Sequence, residues 1–429
     1  MDLLELTRVA LDTGPLCDSC LGRLVADRSF GLTNAARGRS LRTTLALADD
    51  RPYDSVSDDA VCWVCEGESA RVDTFAENAL ASLEEWEFGT YQVGTRVPPL
   101  LEENDHLLRT DVDLPKDAGE PLKRELNREV GKRIGEETGT DVDLGRPDVL
   151  ILIDLATDEI EIQVNSAFVY GRYQKLERDI PQTRWPCSDC GGIGMRRGAP
   201  CEGCDGTGYR YGTSVEQQTA PILRDAMDGS DAVFHGAGRE DVDARMLGDG
   251  RPFVIEVENP HRRSVDLEPL EREINEHADG SVEVAGLRHA THEMVERVKR
   301  HEASKTYRMD VEFGSPVSAD SLQEAIESIE GATIEQRTPQ RVDHRRADIE
   351  RTRTVYSISG ELNDEHHGTI ELHGEGGLYV KELISSDKGR TEPSLSGLLG
   401  VGSSVTALDV LSVEGEDEPF ERPEFFADL

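Results

Sequence analysis

All eight cysteines of this chain fall into C-x-x-C pairs: Cys17/Cys20, Cys62/Cys65, Cys187/Cys190 and Cys201/Cys204. Thiolates at that spacing can grip one tetrahedral metal ion together, and two pairs close a four-sulfur shell. The second set is compact, with ten residues between its pairs, and reads as one structural zinc site. The first two pairs lie 41 residues apart, so the chain between them must fold back for a shared site. A redox pair or inert thiols are the alternatives there, and a reducing cytosol disfavours disulfides. Four sulfurs leave no open position for water, so both expected zinc ions are structural rather than catalytic.

Length divides the chain further, because 429 residues exceed one ordinary core and predict two to three domains. No apolar run reaches the roughly 18 residues of a membrane span, and Met1–Leu6 lacks the layout of a signal peptide. A cytoplasmic, soluble monomer is expected. Charge is the unusual feature: 86 acidic against 47 basic residues give a net charge of -39, spread along the chain. Strand and helix patterns persist throughout, so disorder does not explain it. Such a surface suits a salt-in halophile. In molar salt the Debye length falls to about 3 Å, and a nucleic acid can approach through local arginine contacts and stacking despite the global charge.

The chain reads as four segments. Residues 1–70 hold the first cysteine pairs and a helix from Leu3 to Leu11. Residues 71–185 are mixed: Val72, Phe75, Ala76, Ala79, Leu80 and Leu83 recur at helical spacing, Val149–Leu155 is a buried strand, and Ile160, Ile162 and Val164 alternate as another. This segment ends in a basic, aromatic island, Tyr170–Trp185, where Arg172, Lys175, Arg178 and Arg184 stand beside tyrosines and suit phosphate contact with base stacking. A solvated turn with core aromatics is the plainer alternative. Residues 186–210 form the compact cysteine knuckle, and 211–429 are strand-rich. There Thr306–Phe313 places Tyr307, Met309, Val311 and Phe313 on one face, and Ser318 caps a helix with an apolar stripe. The fold class is α+β.

Gly238-Arg239-Glu240-Asp241 opens a polar loop running into a strand at Phe253–Val257. From residues alone it is a catalytic candidate or a salt-bridged surface turn. It resembles the Gly-Arg-x-Asp motif of pseudouridine synthases, which implies a mixed-sheet catalytic domain, Asp241 as the essential carboxylate and Arg239 in the motif's arginine position; Asp243 is a weaker candidate. Lys305-Thr306-Tyr307 resembles the strand bearing the family's active-site tyrosine. Gly377–Leu383 resembles the motif that supplies a basic partner, here Lys381, with Tyr379 beside it. Leu408 resembles an apolar residue that closes the pocket.

The resemblance is to the archaeal and eukaryotic branch acting at tRNA positions 54 and 55. It implies an N-terminal zinc-binding and THUMP-like α/β accessory region whose end is the Tyr170–Trp185 island. The arginine-dense segment with Arg337, Arg341, Arg345 and Arg346 is similar to one beside the family's cleft and implies RNA backbone contact; a surface ion-pair network is its alternative. The implied reaction isomerises uridine 54, 55 or both with no catalytic cofactor, Asp241 attacking C1′ or taking a ribose proton, and Tyr307 stacking on uracil. Two other readings stand beside it: a tRNA-binding protein without isomerase activity, and a zinc-dependent chaperone-like protein. The latter arises because both compact pairs fit the C-x-x-C-x-G-x-G repeat of J-proteins, yet only two repeats and no His-Pro-Asp occur.

Overall fold

A computed structural model describes residues 2–53, 61–115, 118–341 and 347–427. The chain forms two compact units, Met1–Asn165 and Ser166–Leu429.

The first unit runs α1 (Leu3–Asp12), α2 (Asp18–Arg23), α3 (Asn34–Ala48), α4 (Val72–Leu83), β1 (Thr90–Arg96), α5 (Pro99–Asp111), α6 (Leu122–Thr138), β2 (Asp141–Val142), β3 (Val149–Asp154) and β4 (Glu159–Val164). Asp2 caps α1 by accepting from the Glu5 amide, and the expected helix follows. The α4 stripe buries Val72, Phe75, Ala76, Ala79 and Leu83, as its spacing requires. The strands order as β2-β1-β3-β4, with β1 parallel to β3 and β4 antiparallel to it.

The second unit contains β5 (Ala167–Lys175), the short hairpin β6 (Met195–Arg196) and β7 (Ala199–Pro200), α7 (Val215–Ala226), β8 (Asp231–Gly236), β9 (Arg245–Glu258), α8 (Leu267–His277), β10 (Val282–Ala290), α9 (His292–Arg300), β11 (Ala303–Phe313), α10 (Ala319–Ile329), β12 (Thr333–Arg337), β13 (Glu350–Leu362), β14 (His367–Gly374), α11 (Val380–Ser385), β15 (Thr391–Glu392), α12 (Leu395–Leu399) and β16 (Ser403–Gly415). One sheet follows the order β10-β5-β9-β16-β11-β14-β13-β12-β15, with β8 also on β9. The β9–β16 pairing is parallel where its neighbours are antiparallel, which makes the sheet mixed.

Strand β9 lies between β5 and β16. Arg245 and Met246 pair with Asp409 and Val410 of β16, and Met246 and Arg251–Val257 pair with β5, with a register shift between Met246 and Arg251. The bend falls at Gly248 (φ +57°) and Gly250 (φ +71°), where a Cβ would sit 2.1 Å from the Leu411 carbonyl and 2.7 Å from that of Tyr173. Only glycine satisfies both the left-handed backbone and the close approach.

The first unit ends at Asn165, twenty residues before the expected boundary at 185. Strand β5, which begins the basic island, pairs with β9 and β10 inside the second unit's sheet. Its composition had the look of an RNA-binding end, but five consecutive residues from Ala167 to Gly171 are buried. Lys175 is buried with that strand.

Candidate active site and metal centres

The loop between β8 and β9 carries two adjacent carboxylates in opposite surroundings. Glu240 is buried: the Tyr173 hydroxyl donates to it at 2.8 Å, Arg251 pairs with it at 2.9 Å, and the Lys175 ammonium lies 3.8 Å away. Lys175 also donates to the carbonyls of Ile180, Asp241 and Val242 at 2.8, 3.2 and 3.1 Å. Gln182 ties the Tyr173 hydroxyl to the Gly238 carbonyl, and Arg251 holds the Ala237 carbonyl. The loop backbone is therefore fastened from below at Ala237, Gly238, Asp241 and Val242. Buried charges persist when paired and hydrogen-bonded, and here that requirement sets the loop's shape.

Asp241 faces the other way. Its carboxylate lies 3.2 Å from the Lys381 ammonium and 3.3 Å from the Arg341 guanidinium. Burial alone would raise its pKa, but Arg341 and Lys381 outweigh it and hold the group below the usual carboxylate value. Arg341 is anchored by Glu382 at 2.7 Å, and Lys381 also reaches the more exposed Asp243 at 3.1 Å. Burial pushes the Tyr307 phenol up to about 12, with Asp241 adding to the rise. Tyr307 opposes Val410 and Met309 opposes Leu408 across β11 and β16, so these four share one apolar face. Burial beside Arg251 lowers Lys305 to about 8. Together they make an ionised carboxylate clamped by two cations, next to a neutral buried phenol and apolar walls.

Of the residues singled out from the sequence, Asp241 stands in the loop before β9 against Lys381 of α11, while Tyr307 and Leu408 lie on the neighbouring strands β11 and β16. Arg239 lies over the Trp185 ring at 5.8 Å. Tyr379 accepts from Arg351 at 2.8 Å. Arg341, expected on RNA backbone, instead bridges Asp241 and Glu382. Three of the expected RNA contacts need correcting. Lys175 is fully buried; Arg172 is bonded to Glu421 and to the carbonyls of Asp249, Gly250 and Val413; Arg178 holds the carbonyls of Asp243 and Leu408 and the Asp409 carboxylate. All three spend their donors on the protein. Arg184, near Glu216 at 3.6 Å, and Arg337, paired with Asp348, remain partly exposed. Arg345 and Arg346 lie outside the described residues. Glu240, Arg251 and Glu382 escaped sequence reading, although an acidic residue inside the motif and an arginine inside an apolar strand were visible signals.

The cysteines gather as Cys17, Cys20, Cys62 and Cys65, and as Cys187, Cys190, Cys201 and Cys204, each set with its sulfurs within 4.8 Å of one another. The Trp63 amide donates to the Pro15 carbonyl at 3.0 Å and closes the 41-residue excursion. Sulfur separations of 3.7 Å (Cys17–Cys65) and 3.8 Å (Cys190–Cys204) approach the ~3.8 Å edge of a tetrahedron with metal–sulfur bonds of about 2.3 Å. Amides of Gly194 and Gly208 point at Cys190 and Cys204, and Arg23 points at Cys20 at 3.3 Å, donors that favour thiolate. Both sets could hold a metal ion.

Comparison with known proteins completes the picture. The family model described as Pus10, C-terminal, matches residues 168–414, and the one described as Pus10 THUMP domain, archaeal, matches residues 75–154. The tRNA pseudouridine synthase Pus10 of Halorubrum lacusprofundi is 63% identical over 99% of this chain and 100% of its own. That of Methanothrix thermoacetophila is 43% identical over 96% of this chain and 95% of its own. Among solved structures, a chain of a Cbf5-Nop10-Gar1 complex covers 47% of this chain and 46% of its own at 19% identity, with a TM-score of 0.30.

The protein is an isomerase of the pseudouridine synthase class, with an N-terminal unit that includes a THUMP domain. The chain belongs to the Pus10 family. No helix among the described residues is long and apolar enough to cross a membrane.

Proposed function

We propose that the protein isomerises uridine to pseudouridine in the T loop of tRNA, at position 54, 55 or both, with Asp241 as its catalytic carboxylate. The observation that carries this reading is the clamp of Arg341 and Lys381 on Asp241, which keeps it ionised. An ionised carboxylate can attack C1′ of the ribose or take a ribose proton; either route breaks the N1 glycosidic bond. The freed uracil turns, C5 bonds to C1′, the C5 proton leaves, and N1 gains a proton, so no oxidant or reductant enters. Tyr307 stacks on the uracil and Leu408 closes the pocket. The target base must leave its stack to reach a part-buried carboxylate, so base flipping accompanies binding. Arg239, Tyr379, Arg184 and Arg337 are assigned to RNA contact.

Asp241→Asn preserves size but removes the charge. Pseudouridine formation in a tRNA transcript should fall on the order of 10³-fold or more while tRNA binding persists. Asp243→Asn, at a more exposed neighbour, should keep substantial activity. Mapping positions 54 and 55 for each variant beside a binding assay reads both effects, and an active Asp241→Asn enzyme would overturn the assignment.

The two four-cysteine clusters are assigned to structural zinc, supported by their sulfur geometry and amide donors. Metal analysis should return close to two zinc ions per chain. A stoichiometry near zero in reduced, unchelated protein would refute it.

A further inference from the structure

In a chain where one residue in five is acidic, Arg28–Ala48 contains four arginines and no aspartate or glutamate. This stretch includes all of α3 and the turn before it, and its outward positions are Arg39, Ser40, Thr43, Thr44 and Leu47. The turn displays Phe30, which is 100% exposed, and Leu32, 43% exposed. Phe30 and Leu32 thus stand out together on an exposed, carboxylate-free stretch.

The turn is built to hold that ring out. Arg37 of α3 donates to the carbonyls of Arg28 (2.9 Å), Ser29 (2.8 Å) and Leu32 (2.7 Å) and to the Asn34 side chain (3.0 Å). One guanidinium therefore closes the turn from three sides. Ser29 (φ 57°) and Gly31 (φ 84°) are both left-handed, which turns the backbone sharply on either side of Phe30. Because Arg37 spends its donors on neutral carbonyls, its charge has no carboxylate partner among the described residues, and neither has that of Arg28. Arg39 is 3.7 Å from Asp18 with its side chain 69% exposed.

We propose that the Arg28–Thr33 turn is an RNA-contacting element in which Phe30 stacks on an unpaired base of the substrate tRNA while Arg28 and Arg39 meet flanking phosphates. The inference rests on the tRNA reading above. Charge complementarity selects the occupant: a second copy of a chain carrying -39 offers chiefly carboxylates, whereas RNA offers both a π face and phosphates. With screening at about 3 Å in molar salt, only direct arginine contacts and stacking survive, and those are what the turn presents.

The test uses the full chain with a tRNA transcript in molar KCl. Phe30→Ala should weaken tRNA binding about tenfold and raise KM accordingly, with kcat at saturating tRNA unchanged. Phe30→Trp should bind at least as tightly as the parent. Phe30→Leu, which keeps apolar bulk without a π face, should behave like Phe30→Ala. Metal content and melting temperature should match the parent in all three, since the side chain packs on nothing. Parental affinity for Phe30→Ala or Phe30→Leu overturns the inference, as does a change in oligomeric state with tRNA affinity unaltered. A parent that modifies tRNA normally while these variants do too sinks only this inference; a parent that neither binds nor modifies tRNA sinks the functional reading beneath it.

Discussion

Two fully buried charge clusters, one in each unit, are built with opposite sign. In the first unit Arg23 is the central cation, 2.7 Å from Asp105 and 3.5 Å from Glu125, and it also points at Cys20. In the second unit Glu240 is the central anion, between Arg251 and Lys175. The first arrangement sets a buried arginine, held by two carboxylates, against one of four cysteines that could hold a metal ion. The second leaves positive charge in surplus beneath Asp241, and Lys381 and Arg341 add to it from above. A protein of net charge -39 thus gathers four cations, Lys175, Arg251, Arg341 and Lys381, around the loop that carries Asp241.

The sharpest way to break this comparison is to remove each central charge. Arg23→Met strands Asp105 and Glu125 without their shared buried partner and should cost about 3–5 kcal/mol, read as a lower denaturation midpoint in molar KCl. Zinc retention at the first cluster should weaken with it. An unchanged midpoint would show that Arg109, at 3.3 Å from Asp105, suffices alone. Glu240→Gln keeps the Tyr173 contact but leaves Lys175 and Arg251 uncompensated; it should cost somewhat less, about 2–4 kcal/mol, and lower kcat more than tRNA affinity because the loop loses its shape. Full activity in Glu240→Gln would mean the loop holds itself.

A finer test concerns the charge above the loop. Asp241 has a depressed pKa, so its working ionised form persists above that value and is lost as pH falls through it. Lys381→Met removes one of the two cations, raises that pKa, and should move the acid limb of kcat/KM to higher pH with the alkaline limb in place. An unmoved acid limb would assign the clamp to Arg341 alone. The smallest expected effect is Tyr173→Phe, which deletes the hydrogen bond to buried Glu240 and the one its hydroxyl accepts from Gln182, and should cost about 1.5–3 kcal/mol in stability with kcat nearly unchanged.

Elements whose period matches one buried face were legible from residues alone. Helix α4, strand β3, strand β11 and the Ser318 cap of α10 all stand where their spacing puts them. The island in β5 misled because composition reports charge but not direction. Tyr170, Tyr173 and Lys175 point into the second unit, and the groups that satisfy Lys175 lie 65 or more residues away, apart from the nearby Ile180 carbonyl. Arg341 shows the same limit of local reading: that it pairs with Glu382 and Asp241 could not be read from its arginine-rich run.

By itself the sequence determined the pairing of the cysteines, the periodic elements and the acidic surface charge, because each is a local pattern of spacing or composition, and Asp241 stood out through a short motif resemblance. Only the tertiary structure decided which charges are spent inside. Whether an arginine or lysine meets RNA, a carbonyl or a buried glutamate depends on partners brought together by sheet order. Those contacts span up to about half the chain, and no local pattern encodes them.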